Sequence, residues 1–351
     1  MATALVRCFY VYPLLNTFVQ RDREVLESLG VEVKATPVTP THNPILYLTR
    51  LFFLFFQSIW SVSRSHRVIC WFSDYHAFLP LLVAKFFTRR SLLIVGGFDA
   101  VSDPVNAYGI FYKKGIRQYL ARWNYRLADC IWVVDESLQK GCPHSYKRSR
   151  ISSGIENWVP EVKPKIEVVP TGYDPEYWKR TRNKTPKTVL TVANLTSEQV
   201  IHRKGIPMFI EMARECPEWV FTIVGDLDNR IANAFTIPSN LQVYGKKNPE
   251  ELVAIYSRHS YYFQGSRVEG LPNVLCEAML CECIPIGQRA FGIERAIGQT
   301  GVVFDEKPAP KAYKKMLEEA ATKQGSACRE QIIKAFHQSH RIEKLKQYLF
   351  D

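Results

Sequence analysis

Twelve short apolar runs, each followed by a segment of helical length, constrain what this chain can fold into. In the first half they are residues 4–12, 31–38, 67–72, 91–97, 129–135 and 165–170. In the second they are 188–195, 219–226, 240–245, 261–266, 283–288 and 301–305. Strand-like runs alternating with helical segments imply parallel βα units, so each half reads as a doubly wound α/β domain. Val19–Leu29, ending at Gly30, and the long segment Ile110–Leu127 carry apolar residues at helical spacing and are expected as helices.

At 351 residues the chain has room for two such domains. The polar, proline-punctuated stretch 175–187 separates the two series, giving domains at 1–178 and 186–330. A basic helical segment, 331–351, is expected to pack back on the first domain. Open α/β sheets bind ligands at the carboxyl ends of their strands, so two facing domains would meet there across a cleft. Candidate chemistry is therefore sought in loops just after strands.

The formal charge of +12 is concentrated toward the first 180 residues, which hold 23 Lys and Arg against 15 Asp and Glu. Such a surface attracts nucleic acid, anionic lipid or phosphorylated substrates. With no Arg-rich helix, zinc-finger spacing or aromatic RNA-binding signature, nucleic acid is set aside. Nine cysteines, an odd number without a CxxC pair and mostly in apolar runs, suit free thiols in a reducing cytosol. Cys281 and Cys283 lack nearby ligand partners and read as helix-end packing. No secretory signal is evident, and a cytoplasmic protein is expected. Residues 45–60 are very apolar but interrupted by Arg50 and short for a span. They read either as a buried helix of the first domain or as one dipping into the inner membrane surface, helped by Arg64, Arg67, Arg89 and Arg90.

The richest stretch is GSRVEGLPNVLCEAMLCECIPIG, residues 265–287. A strand ends near Ser266, Gly270 permits a tight turn, and Pro272 suits the first turn of a helix running to about Glu282. Amides from Leu271 to Leu275, Pro272 excepted, would make a phosphate site. Asn273 and Glu277, four apart, share a helix face, on which Glu277 can accept from ribose hydroxyls. Glu269, in the loop, suits hydroxyls of a sugar beyond the phosphates. Both glutamates could equally be solvent-facing acids favoured by the helix dipole. A second element, residues 201–216, places Arg203 and Lys204 before Gly205 and an amphipathic helix. Cations before a helix N-terminus call for an intervening anion, such as a diphosphate, unless this is simply a solvated basic turn.

These residues resemble glycosyltransferase family 4, the retaining GT-B enzymes that use nucleotide sugars. The match rests on the Glu-x7-Glu of Glu269 and Glu277 and on Lys204-Gly205, with weaker agreement in IVGD at 223–226, NLQVYGKKNPEELVAIY at 240–256 and VVPTGYD at 168–174. The resemblance implies a GT-B α/β fold, two Rossmann-like doubly wound domains facing across a cleft. It implies that Glu277 binds ribose, Glu269 the donor sugar, Lys204 the leaving diphosphate, and the amides from Gly270 through Leu271 to Asn273 the sugar and phosphate. Asn194 and Gly225 join the donor set. The sequence departs from the family where Gly-Arg is usual, reading Ala193-Asn194, and Arg203 is the expected substitute cation. The glycine-rich loop after the first strand is replaced by Tyr12–Phe18. Asp99, in the place of an acceptor-side His or Asp, is the candidate for orienting an acceptor hydroxyl, its alternative being a capping residue beyond a Gly-Gly turn.

The implied reaction is retaining transfer from a UDP- or GDP-sugar to a hydroxyl of a glycan or lipid-linked saccharide. Helix amides and Lys204 would stabilise the departing diphosphate. No Asp-x-Asp placed to carry Mg²⁺ is expected, hence metal independence and no cofactor. The rival readings are a sugar-nucleotide epimerase on the same fold, a non-catalytic nucleotide-sugar binder and a membrane-surface protein acting through residues 45–60.

Overall fold

In the computed structural model, residues 5–143, 150–305 and 307–351 are described, apart from the side chains at 163 and 164. The chain divides into two compact units, Met1–Thr171 with Ser339–Asp351, and Gly172–Gln338. The stretch expected as a linker lies inside the second unit. There buried Trp178 packs edge-on to Tyr256 at 5.9 Å, and Arg329 donates to the carbonyls of Pro175 and Trp178. Residues 331–338 stay with that unit too, through buried Ile332 and Phe336. The segment belonging to the first unit therefore starts at Ser339 rather than 331.

The first unit holds β1 (Arg7–Tyr12), β2 (Glu32–Pro37), β3 (Arg67–Trp71), β4 (Arg90–Val95), the two-residue β5 (Val101–Ser102), β6 (Cys130–Val133), β7 (Ser152–Ser153) and β8 (Ile166–Val168). Six form a parallel sheet ordered β2-β1-β3-β4-β6-β8, while β5 pairs only with β7. The central strands are buried on both faces, which is why they read as continuous apolar runs. Helices α1 (Thr17–Ser28), α2 (Pro44–Arg64), α3 (Tyr75–Phe86), α4 (Ile116–Leu127) and the single turn α5 (Ile155–Trp158) connect them.

Helix α4 is shorter than its apolar spacing suggests. Ile110 and Phe111 are buried, but their amides donate to Phe98 O and Val101 O instead of a helical ladder, and Gly115 precedes the true start. The last helix, Gln338–Phe350, is fastened to this unit by Arg341, only 4% exposed. Its guanidinium pairs with Asp22 at 2.6 Å and donates to Val169 O, while Trp71 Nε1 donates to the same carboxylate.

The second unit contains β9 (Thr185–Leu195), β10 (Val220–Asp226), β11 (Leu241–Tyr244), β12 (His259–Gln264), β13 (Ile284–Gln288) and β14 (Val302–Phe304), all parallel and ordered β11-β10-β9-β12-β13-β14. Its helices are α6 (Glu198–Arg203), α7 (Ile206–Glu215), α8 (Arg230–Ala234), α9 (Pro249–Arg258), α10 (Asn273–Leu280), α11 (Gly292–Ile297), α12 (Ala312–Ala320) and α13 (Gly325–Phe336). Each of the twelve expected strand segments corresponds to one strand of these two sheets.

Candidate functional site

In the second sheet the connections run outward in opposite directions from β9 and β12, which are neighbours. That reversal opens a crevice beyond their carboxyl ends, the usual ligand position in an open α/β sheet. The loop after β9 carries Arg203 and Lys204; the loop after β12 carries Glu269.

The first loop is not the solvated basic turn weighed as the alternative to an anion site. Ser197 caps α6 by accepting from Val200 N at 3.3 Å, Arg203 ends that helix and Lys204 is its C-cap. Cations at a helix C-terminus are favoured by the dipole, so the dipole itself demands no intervening anion. Gly205, at φ +73°, then turns the chain into α7. A Cβ on Gly205 would lie 2.2 Å from the Gly265 carbonyl oxygen, an approach only glycine allows. Arg267 N also donates to Arg203 O at 3.0 Å. Two backbone contacts, one between residues 205 and 265 and one between 203 and 267, thus join loops distant in sequence.

Their side chains complete the junction. Lys204 Nζ donates to Glu269 Oε1, with the two side chains 19% and 13% exposed. Gln264 Nε2 lies 3.3 Å from the same carboxylate and 2.7 Å from Ser266 Oγ. Burial works to raise the Glu269 carboxyl, but the charges of Lys204 and Arg203 and the bonds from Lys204 and Ser266 outweigh it and hold it below the ordinary range. The anion beside Lys204 here is Glu269 itself.

Pro272 occupies the N-cap position of α10 rather than its first turn, and the helix ends at Leu280, before Glu282 takes φ +63°. Leu275 N donates to Pro272 O, which removes it from the expected phosphate-binding amides. Gly270, Leu271 and Pro272 are buried. Gly292 N supports the loop by donating to Gly270 O at 3.1 Å, and a Cβ on Gly292 would come within 2.4 Å of that oxygen. Tyr173, 1% exposed, donates its hydroxyl to Asn273 Oδ1 at 2.8 Å.

One turn on, Glu277 is only 5% exposed, which rules out the solvent-facing alternative. Burial foremost, with the Glu277 charge adding to it, pushes the phenols of Tyr256 and Tyr262 well up. The buried Tyr256 hydroxyl has no hydrogen-bond partner among the described residues. Tyr173, Gln264, Ser266 and Arg267 were not singled out as site residues. A polar side chain at the carboxyl end of an otherwise apolar strand, as at Gln264, is the signal that could have found one of them.

The remaining candidates divide. Asn194 is exposed at the end of β9. Gly225, at φ +106°, is required by strand packing, since a Cβ there would lie 2.0 Å from Ala193 O, where the β9–β10 register shifts. The chain holds an Asp-x-Asp at Asp226 and Asp228, at the end of β10. Asp226 Oδ2 accepts from Ile231 N at 3.1 Å, and Asp228 pairs with Arg230. No group of three or more His, Cys, Asp or Glu side chains suited to a metal occurs among the described residues.

Asp99 is not placed to meet an acceptor. It is fully buried in the first unit, and its carboxylate accepts from Ser73 N at 2.9 Å, Gly96 N at 3.1 Å and Gly97 N at 3.0 Å. Burial pushes its carboxyl up to about 6, although these amide bonds pull it back. It organises the turn after β4, close to the capping role weighed as its alternative.

Residues 174–338 match the family model described as Glycosyl transferases group 1. No curated protein matches the chain in sequence. Among solved structures, sucrose-phosphate synthase from Thermosynechococcus elongatus aligns over 97% of this chain and 98% of its own, with TM-score 0.70 and 15% identity. The apo lipopolysaccharide outer core galactosyltransferase WaaB aligns over 98% and 99%, with TM-score 0.66 and 14% identity. Anabaena HepE in complex with UDP and glucose aligns over 98% and 99%, with TM-score 0.65 and 11% identity. The chain has the GT-B glycosyltransferase fold, and its match to the group 1 family model lies within the second unit.

Proposed function

We propose that the protein is a retaining glycosyltransferase of family 4. It moves a sugar from a UDP- or GDP-sugar to a hydroxyl of a glycan or lipid-linked saccharide in cell-surface polysaccharide or glycolipid synthesis. The observation that carries this reading is the junction at the carboxyl ends of β9 and β12, where Arg203, Lys204 and Glu269 meet at the N-terminus of α10 and Glu277 follows one turn later. It is supported by a structural relative that holds UDP and glucose and by another that is a lipopolysaccharide galactosyltransferase.

In this reading the diphosphate lies at the start of α10, against the amides of Gly270 to Asn273, with Asn194 and Gly225 flanking it. Lys204 exchanges the Glu269 carboxylate for the diphosphate when donor enters. The released Glu269 accepts from sugar hydroxyls and Glu277 from the ribose. As the glycosidic bond breaks, negative charge grows on the leaving phosphate, and Lys204 with Arg203 stabilises it in a mostly buried setting where such contacts count most. These two cations make the transfer metal-independent and cofactor-free, and the protein acts in the cytoplasm with no nucleic-acid partner. The acceptor side belongs to the first unit, with Asp99 shaping a loop rather than touching the hydroxyl.

The test is thermal shift and calorimetry with UDP, GDP, ADP and their common sugar conjugates, on the protein and on Glu277→Ala. A ligand of the folded state raises its stability. Stabilisation by one nucleotide sugar, lost in the variant, is expected. Stabilisation by none, or equally in both proteins, would overturn the reading.

A further inference from the structure

Helix α2 turns Ser58 and Ser61 inward and most of its aromatics outward. Its buried residues are Leu54, Ser58, Ser61 and Val62. Ser58 Oγ donates to Leu54 O at 2.6 Å and Ser65 Oγ to Ser61 O at 2.8 Å, so hydroxyls are accommodated inside without stranding a polar atom. At helical spacing the opposite face gathers Ile45, Leu48, Phe52, Phe53, Phe56 and Trp60. Phe52, Phe53 and Trp60 are each at least 60% exposed, and Phe86 at the end of α3 is 82% exposed. This is not the buried helix weighed from the sequence. By length and composition alone α2 could cross a bilayer, and a contiguous apolar surface of this extent marks an interaction site.

The charge around it is one-sided. Between Glu32 and Asp99 the chain carries seven Lys and Arg and a single acid, Asp74, which is engaged by Arg117 at 2.8 Å. Beyond Phe86, Lys85, Thr88, Arg89 and Arg90 line a hollow of about 310 Å³ together with Asp129. Asp129 is taken up by Ser91 N, Ser91 Oγ and Lys85. Arg89 Nη2 donates to Ser63 O, tying the ends of α2 and α3 together, and its buried Nε has no hydrogen-bond partner among the described residues.

We propose that α2 and the end of α3 dock the first unit in the plane of an anionic phospholipid bilayer, the aromatics entering the acyl boundary and the cationic hollow receiving a lipid phosphate. An apolar helix face rimmed by cations is the pattern of an in-plane interfacial helix. A second copy of the chain would bring the same cations together. A spanning helix would have to detach Leu54 and Val62 from the core and carry Arg50 into the bilayer. The proposal rests on neither the donor site nor the reaction.

The experiment is flotation of the full chain with phosphatidylcholine vesicles, with and without phosphatidylglycerol. The wild type is expected to float with the anionic vesicles. The exposed-face variant Phe52→Ser/Phe56→Ser should lower partitioning roughly a hundredfold. Lys85→Gln/Arg90→Gln should lower it roughly tenfold, an effect that high salt erases. Equal flotation of the aromatic variant and wild type, or no flotation at all, overturns the proposal. Self-association lost in that variant would assign the face to a second copy, and resistance to alkaline extraction would assign a spanning helix; either overturns it. Unchanged thermal unfolding of both variants shows that lost flotation is not lost folding, whichever way the nucleotide experiment falls.

Discussion

Two buried carboxylates, each in a loop after a strand, titrate in opposite directions. Asp99 in the first unit is met by backbone amides, and burial wins, raising it to about 6. Glu269 in the second unit is largely buried too, yet Lys204 and Arg203 overcome that burial. An amide cluster can hold an acid in place without paying the full cost of its charge, whereas a nearby cation can make the charge the preferred state. Each unit contains a six-stranded parallel sheet, but beyond the strand reversal the second gathers Arg203, Lys204 and Glu269, whereas the first has the Asp74–Arg117 pair. The reversal in the first sheet lies between β1 and β3, and Asp99 follows β4, away from it. The scaffold is repeated; the charged loops are not.

The largest effect expected from this difference is at glycines of similar backbone. Gly30 and Gly205 share φ values of +78° and +73°, but a Cβ meets nothing within 4 Å at Gly30 and the Gly265 oxygen at Gly205. Gly30→Ala should cost about 1 kcal/mol, the left-handed backbone strain alone. Gly205→Ala should cost about 3–5 kcal/mol and separate Lys204 from Glu269. Chemical denaturation of the two variants measures this, and equal costs would mean that the loops after β9 and β12 are not locked together.

Next comes Lys204→Ala. If Lys204 serves the departing diphosphate, turnover should drop about a hundredfold or more while nucleotide affinity changes less, because the charge it answers grows in the transition state. Steady-state kinetics with the donor identified by thermal shift provides the check. Equal losses in turnover and affinity would reduce Lys204 to the structural partner of Glu269.

How far all this was legible depends on the physics of each element. Strands such as β3 (Arg67–Trp71) and β10 (Val220–Asp226) announce themselves because burial on both faces forces continuous apolar runs. The same burial misleads at Ile110 and Phe111, whose side chains are interior while their amides bond to a neighbouring turn. Helix α6 was missed although Ser197 followed by Glu198 is a start signal, because its six residues carry almost no periodicity. Glu269, Glu277 and Lys204 were visible as a spacing, but their pairing was not. It depends on Gly205 touching Gly265, a contact between distant segments that no local pattern encodes. Asp99 was a candidate because it stands where the resembled family carries an acceptor-side His or Asp, and only burial shows its carboxylate taken up by amides.

The opposite titrations give the third test. The raised Asp99 contributes most stability below the ordinary aspartate range, and that contribution fades as pH rises through about 6, by at most about 3 kcal/mol. The lowered Glu269 does the reverse, contributing above the ordinary glutamate range and losing it as pH falls through its depressed value. Asp99→Asn should flatten the first slope and leave the second, whereas Glu269→Gln should do the converse, as read by denaturation at pH 3 to 7. A slope of the same sign in both variants would break the comparison.

The smallest effect concerns how the site is braced. Asn273 is steadied by the hydroxyl of Tyr173, which also meets the Cys276 thiol, and Tyr173→Phe removes that hydroxyl while keeping the buried ring. Stability should fall by about 1 kcal/mol, the usual net worth of a hydrogen bond whose acceptor stays behind. If Asn273 faces the nucleotide, affinity for the stabilising ligand should weaken a few-fold in the same variant, measured by calorimetry. Lost stability with unchanged affinity would leave Tyr173 a brace of the fold alone and move nucleotide recognition one turn along, onto Glu277.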